Sequence, residues 1–574
     1  MRSWINRTAT LCLAAAVLGA CLAACAAEPA QAPAGQSAAE PAPSVQPAAK
    51  GEDARRSTVL SAFTTADFSG PSICTVCHLR LADESGRDVS MPTEWRSTMM
   101  ANAAKDPLWQ AKVSSEAARL PQLQAEIEEK CVSCHMPMAK TQAETDGQPA
   151  AALGEGFFNP AHPLHKAAVD GVSCTLCHQI QGGNLGSPES FSGGYRIDTS
   201  TNPPDRLLFG PYQQPVTPQM QNVSNFLPAY GAHMASAEFC AVCHNLKTPF
   251  VDGEGNVLGE FPEQTPYTEW QNSRFGAENS TCQTCHMPLA QGGVVISTVP
   301  ASLTARKPFY QHFFVGGNAF MLQILSDWGT ELEVTADPEH FAAKRARVID
   351  QIGGQTAELA LESLDLAGDT LTARLRVSPL TGHKFPTSFP SRRAWLHVTI
   401  TDAAGWVIFE SGKPNPDGTI SGNAADTDAG AYEPHYDVIT QADQVQIYEP
   451  IMGDSEGKVT YTLLRAAHYI KDNRLLPEGA DKARLPADIA VCGAAAGDAN
   501  FAGGGDLVSY KVEVKGAQGP FTVNAELLYQ PLSYRFAQDL LLDETPLTVR
   551  FGGYYARAAK EPLLVGSIAP AEVP

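Results

Sequence analysis

Alternation of apolar and polar positions is concentrated in the second half of this chain. Leu371-Thr372-Ala373-Arg374-Leu375-Arg376-Val377 alternates with a period of two, and so does Trp395-Leu396-His397-Val398-Thr399-Ile400. Each run predicts a strand with one buried face. Asp402-Ala403-Ala404-Gly405 predicts a turn, and Trp406-Val407-Ile408-Phe409 the strand after it. Further strands are expected over residues 459–464, 507–514, 521–528 and 547–550. Short strands separated by turn signals predict an antiparallel β-sandwich-like domain over residues 351–574. Residues 61–350 lack this alternation and read as short helices in long irregular loops. Asp106-Pro107 predicts a helix start, with a capping Asp and Pro at the first helical position. Leu120-Pro121 predicts a second short helix running to Lys130. Residues 179–224, rich in Gly, Pro, Ser and Asn, predict loop. The expected class is α+β and multidomain: a mostly α and irregular domain, then the sandwich-like one.

The first 60 residues are patterned differently. Arg2 and Arg7 precede an apolar run over residues 8–24, too short to span a bilayer comfortably. The run ends in Leu22-Ala23-Ala24-Cys25, which resembles a bacterial lipobox. Leu18-Gly19-Ala20-Cys21 overlaps it, but the chain turns polar and Pro-rich only after Cys25. Residues 1–24 are therefore expected to be a lipoprotein signal peptide, with Cys25 as the lipidated residue. Residues 25–60, rich in Ala and Pro, are expected to be a disordered tether that cannot bury a core. The resemblance to a lipoprotein implies export to the outer membrane, facing the periplasm or the exterior, with the lipid as membrane anchor.

Composition narrows the partners. The 574 residues include 62 acidic and 41 basic side chains, a formal charge of -21. No basic block stands out, which excludes nucleic acid as an expected partner. The 14 Cys are far from evenly placed. Cys12, Cys21 and Cys25 lie in the leader, and Cys492 stands alone as an expected buried thiol.

The ten remaining Cys form five copies of one pattern. They are Cys74-Thr75-Val76-Cys77-His78, Cys131-Val132-Ser133-Cys134-His135, Cys174-Thr175-Leu176-Cys177-His178, Cys240-Ala241-Val242-Cys243-His244 and Cys282-Gln283-Thr284-Cys285-His286. Two thiols three positions apart can add across the two vinyl groups of one heme. The next residue then stands under the iron as its axial ligand. Zinc sites and disulfides also use Cys-x-x-Cys pairs, but neither requires His after each pair. With 14 His in the chain, five such coincidences have a joint chance on the order of 10⁻⁸. Five covalent c-type hemes are expected, making residues 61–350 a pentaheme domain. His78, His135, His178, His244 and His286 are the expected proximal ligands.

Sixth ligands are sought among the remaining His. His165 precedes Cys174 by nine residues and His233 precedes Cys240 by seven; His162 lies beside His165. All three are candidates by this proximity.

Thr93-Glu94-Trp95 and Thr268-Glu269-Trp270 form an internal echo, followed by Ser97 and Ser273. With the attachment motifs, Val172-Ser173 before the third, and Met-Pro after the second and fifth, residues 72–287 resemble the multiheme cytochrome c554-like family. In that family a Trp-x-x-Ser segment is often followed closely by a heme-ligating His. Here Ser97-Thr98-Met99-Met100 has Met instead. The resemblance therefore implies that Met100 or Met99 replaces that His on the first heme, or that the position is open. Gly382-His383-Lys384-Phe385-Pro386-Thr387 with Arg392 and Arg393, and Lys471-Asp472-Asn473-Arg474-Leu475-Leu476-Pro477, look like a C-terminal module of multiheme cytochromes. That likeness implies His383 as a heme ligand. His312, in the connecting segment, looks like another.

Five hemes within about 215 residues must lie close together, which predicts an electron-transfer protein exchanging electrons with redox partner proteins or a terminal acceptor. The alternative is a reductase or oxidase of a small nitrogen or sulfur compound at one heme with an open iron position.

Overall fold

The computed structural model of the protein describes residues 60–574, all within one compact unit. The expected signal peptide, Cys25 and all but the last residue of the expected tether lie outside the described residues. Helices and sheets are both present, so the protein is mixed α and β. Among the described residues no helix is long and apolar enough to cross a membrane.

The amino-terminal half is built from short helices. Asp106 accepts hydrogen bonds from the Leu108 and Trp109 amides and starts the helix Pro107–Arg119, as its sequence predicts. A 3₁₀ turn at Pro121–Leu123 leads into the helix Gln124–His135, which carries the second Cys-x-x-Cys-His. The other four motifs also lie on short helices: Ser72–His78, Cys174–Cys177, Ala237–His244 and Cys282–His286. A helix brings positions i and i+3 onto one face, so both thiols of a motif point the same way.

The carboxy-terminal half holds two larger sheets. In one, Arg393–Thr401 pairs with Phe521–Gln530, Val407–Ser411 and Ile447–Tyr448. Leu563–Ser567 and Ala571–Val573 add to the far side of Phe521–Gln530, and every pairing is antiparallel. In the other, Thr370–Pro379 lies between Ala357–Ala367 and Asp506–Glu513, and Val438–Ile439 adds to the latter in parallel. The alternating residues Leu371, Ala373, Leu375 and Val377 of one sheet share a core with Leu396, Val398, Ile400, Val523 and Ala525 of the other. That core also takes in Leu108, Ile127, Phe313 and Leu322, so packing is continuous across residue 351.

Two expected strands are corrected. Residues 459–464 form no strand and end in a 3₁₀ turn at Leu463–Arg465. Residues 547–550 lie inside the helix Pro546–Arg557, where the Thr545 side chain caps the Thr548 amide. Phe551, Tyr554 and Tyr555 are buried on one side of that helix. The apolar spacing that fits 3.6 residues per turn prevails over the local β-branched content. The loop expected over 179–224 contains a short strand, Leu207–Gly210, and the helix Thr217–Ser224.

Candidate functional site

A cavity of about 1220 Å³ runs through the amino-terminal half. All ten motif cysteines and all five motif histidines line it. Protein interiors are close-packed, and a void of this size walled by apolar side chains such as Leu176, Phe209, Val242 and Phe275 is not a stable feature of a folded core. The cavity is large and mainly apolar, and the five motifs all face it.

Four of the five motif histidines have Nδ1 turned to a backbone carbonyl. Nδ1 of His78 lies 2.7 Å from the Ile296 carbonyl, that of His135 3.0 Å from Ala103 O, and that of His178 2.5 Å from Phe209 O. His286 donates in the same way to Val315 O. A carbonyl can only accept, so each bond fixes the proton on Nδ1 and leaves the lone pair on Nε2. Such a second bond also orients a ligating ring and raises its basicity. In two cases the partner reciprocates: Phe209 N donates to His178 O and Val315 N to His286 O. Burial pushes His135 and His286 down to about 4, so both are neutral at physiological pH. Trp109 lies flat on His135, with ring centroids 4.3 Å apart and planes 1° from parallel.

The thiols are free, and no disulfide forms among the described cysteines. Their close approaches join different motifs: Cys74 meets Cys174, Cys134 meets Cys243, and Cys240 meets Cys282. Zinc knuckles or intra-motif disulfides would instead bring the two thiols of one motif together. Nothing in this arrangement opposes the thioether attachment of a heme at each motif.

Of the candidate sixth ligands, His383, His312, Met99 and Met100 line the cavity. His383 faces the proximal His286, with ring centroids 6.2 Å apart and planes 18° from parallel. His383 Nδ1 lies 2.9 Å from Lys384 O, so its Nε2 too is the free ring nitrogen. His312 is pushed down to about 3 by burial, and the nearby imidazoles of His178 and His78 act in the same direction. Met100 O accepts the Val172 amide, beside the third motif.

His165, His162 and His233, also expected as ligands from sequence proximity, are not among the residues lining this cavity. Both ring nitrogens of His165 are taken, Nδ1 by the Phe157 carbonyl at 2.8 Å and Nε2 by Glu333 at 3.1 Å. That hydrogen bond to Glu333 raises its pKa, favouring the protonated ring, which has no lone pair for a metal. His162 Nδ1 accepts the Leu164 amide. His233 Nε2 donates to Ile180 O at 2.9 Å, and a Cβ at Gly182 would stand only 3.0 Å from its Nδ1.

The acid and base groups on the wall carry no motif by which to recognise them along the chain. Glu263, buried beside Cys131, is raised to about 7 by desolvation. Lys112 and Glu116 form a buried ion pair at 2.8 Å that also lines the cavity. Lys344 is 2% exposed and its Nζ has no hydrogen bond.

A second cluster has metal-ligand chemistry: His435, Asp498 and Asp506. Its hydrogen bonds argue against a cation. Gln446 Oε1 accepts the Tyr436 amide and Asn473 Oδ1 accepts the Glu449 amide, which fixes both side-chain amides. Their NH₂ groups then point at His435 Nδ1, at 2.8 and 3.2 Å. The proton sits on Nε2, between the two carboxylates, where a metal would need a lone pair.

No family model matches this chain, and no curated protein matches it. Among solved structures, the penta-heme cytochrome c552 from Thermochromatium tepidum is similar at 15% identity and a TM-score of 0.48, covering 87% of this chain and 98% of that one.

Proposed function

We propose that this chain is a multiheme c-type cytochrome that relays electrons through five covalently attached hemes at the bacterial cell envelope. The observation that carries the reading is the convergence of all fifteen motif side chains on one cavity. Bound there, each heme supplies a one-electron iron couple. The ten motif thiols would hold the groups in place, and the five motif histidines would each offer an imidazole nitrogen to an iron. The carbonyls of Ile296, Ala103, Phe209 and Val315 keep four of those rings in the ligating tautomer. The mainly apolar wall would lower the local polarity around the hemes, which limits the reorganisation that accompanies a change of charge.

The inter-motif thiol contacts link the first motif to the third, the second to the fourth and the fourth to the fifth. Cys177 lies near Cys240 and Cys243, joining the third to the fourth. Every motif therefore has a close neighbour, as a relay requires. His383 and His312 complete two of the irons, and Met100 or Met99 serves the first or leaves it open. The two sheets that share a core form a sandwich-like body that carries His383 into the heme half.

The envelope assignment rests on the lipobox. Lipid on Cys25, with the Ala/Pro-rich tether behind it, would anchor the protein to the outer membrane within reach of redox partners or a terminal acceptor. Intact mass of the mature protein tests the heme reading: five hemes are expected, and any other count rejects it. Cys25→Ala is expected to release the protein from the membrane fraction; release by Cys21→Ala instead would move the lipid there.

A second reading is favoured by one observation: only two non-motif histidines, His312 and His383, line a cavity with five proximal ones. An iron without a sixth side chain can bind a small molecule, and Glu263 with the Lys112–Glu116 pair supplies buried proton-handling groups near Cys131. Reduction of a small nitrogen or sulfur compound by the purified protein would establish that activity.

A further inference from the structure

Two adjacent pairs, Glu94–Trp95 and Glu269–Trp270, make the same two connections in two places. Trp270 Nε1 donates to the carbonyl of Ser280 at 2.8 Å, two residues before Cys282. Trp95 Nε1 donates to the carbonyl of Val172 at 2.9 Å, two residues before Cys174. Each indole thus fixes the entry to an attachment motif, the fifth and the third. The glutamates reach the other way. Glu269 Oε2 accepts the amide of Lys384 at 3.1 Å, the residue after His383. Glu94 Oε2 accepts the amide of His312 itself at 2.9 Å.

In the first of these units the outcome is visible: the motif entered at Ser280 ends in His286, and the segment held by Glu269 presents His383 opposite it at 6.2 Å. The second unit has the same connections with a different motif and a different histidine. We infer that each Glu–Trp pair is a clamp spanning one iron, so that His312 is the sixth ligand of the iron held by Cys174, Cys177 and His178. Glu94 and Glu269 are positioning residues: they touch the backbone that carries the ligand, not the iron. This assignment rests on the heme reading above.

The physical reason for the design lies in the host segments. His312 and His383 sit on stretches without regular secondary structure, and no helix or strand ladder fixes their backbone. A hydrogen bond donated by one backbone amide to a buried carboxyl oxygen sets that register. Both carboxylates are buried, Glu94 at 5% and Glu269 at 1% exposure, and so need compensation. Glu269 has it in Arg474, 3.0 Å away. Burial lifts the Glu94 carboxyl to about 8 against the opposing pull of Arg347 and Lys344, so it accepts the His312 amide as a neutral group at physiological pH. The segment 312–315 ties the two units together, since three residues after His312 the Val315 carbonyl holds the proximal His286.

The test uses the mature holoprotein. Intact mass first establishes heme content, so failure of the heme reading appears separately as a wild-type count other than five. Carbon monoxide is then titrated into the ferrous protein. Glu94→Ala and His312→Ala are each expected to bind it at one heme more than wild type. Glu94→Gln, whose amide oxygen can still accept the His312 amide, is expected to match wild type. Glu94→Ala matching wild type while His312→Ala gains a site would overturn the clamp. Should Glu94→Ala fail to mature, a crystal structure of the wild-type holoprotein decides. His312 Nε2 on the iron thioether-linked to Cys174 and Cys177 upholds the assignment, and His312 on any other iron, or on none, overturns it.

Discussion

The imidazole rings of His286 and His383 stand 6.2 Å apart between centroids with planes 18° from parallel, although 97 positions separate them in the chain. That spacing is too wide for the rings to touch face to face. It matches what one metal between two imidazoles needs, with about 2 Å from metal to each nitrogen and roughly 1 Å more to each ring centre. Both Nδ1 atoms point at backbone carbonyls, Val315 for one and Lys384 for the other.

Replacing His383 is therefore expected to alter one heme out of five. His383→Met should keep all five hemes by mass and raise the midpoint potential of one, because thioether sulfur donates less to ferric iron than imidazole does. Spectroelectrochemistry reads this directly. An unchanged set of five potentials would remove His383 from the iron.

Arg474 joins three elements of the buried ionic network next to that site. It pairs with Asp472 at 2.7 Å and Glu269 at 3.0 Å, while Lys384 pairs with Asp472 at 2.7 Å, and all four side chains are almost fully buried. Arg474→Ala leaves two carboxylates against one ammonium. The expected loss of stability is about 3–5 kcal/mol, the range for breaking a buried pair by removing one partner. Chemical denaturation of the holoprotein measures it; a loss under ~1 kcal/mol would mean water enters and screens the site.

Asp506 gives the protein a pH dependence away from the hemes. Burial lifts its carboxyl from 3.8 to about 7, with Tyr448 and Gln446 donating to Oδ2. A raised folded-state pKa means the folded protein binds a proton that the unfolded chain has already released. Between pH 4 and 7 this group thus lowers stability as pH rises, by at most ~1.4 kcal/mol per pH unit. Asp506→Asn should flatten that part of the stability profile. The tautomer of His435 further predicts that divalent cations and chelators leave the melting temperature of this half unchanged.

Trp109 packs flat on His135 and is 9% exposed. Trp109→Ala should cost about 3 kcal/mol or more as a large aromatic truncation. It should also shift the potential of one heme, whereas Trp109→Phe retains a ring against the imidazole and should shift it less. If both variants leave all potentials unchanged, the stack is packing alone.

Much of this molecule was legible before any coordinates. Cys-x-x-Cys-His is a local pattern whose chemistry is complete within five residues, so the expectation of attachment and proximal ligation needs spacing alone, and the five motifs do converge on one cavity. The strands at Thr370–Pro379, Arg393–Thr401 and Phe521–Gln530 were legible for the same reason, since their alternation is set by one buried face. The helix Pro546–Arg557 was missed because a four-residue window cannot separate a period of two from one of 3.6.

What stands opposite His286 was decided by the tertiary structure. His165 and His233 are near motifs in sequence, yet their ring nitrogens are held by Phe157, Glu333 and Ile180. His312 and His383 reach the cavity from the connecting segment and from the sheet-forming half. The carbonyls that set the ligand tautomers come from Ile296, Ala103, Phe209 and Val315, and a backbone carbonyl has no residue type by which to recognise it. A motif specifies bonds made within one turn of helix. The second ligand and the hydrogen bond behind the first depend on which distant backbone packs there, and that is fixed only when the whole core closes.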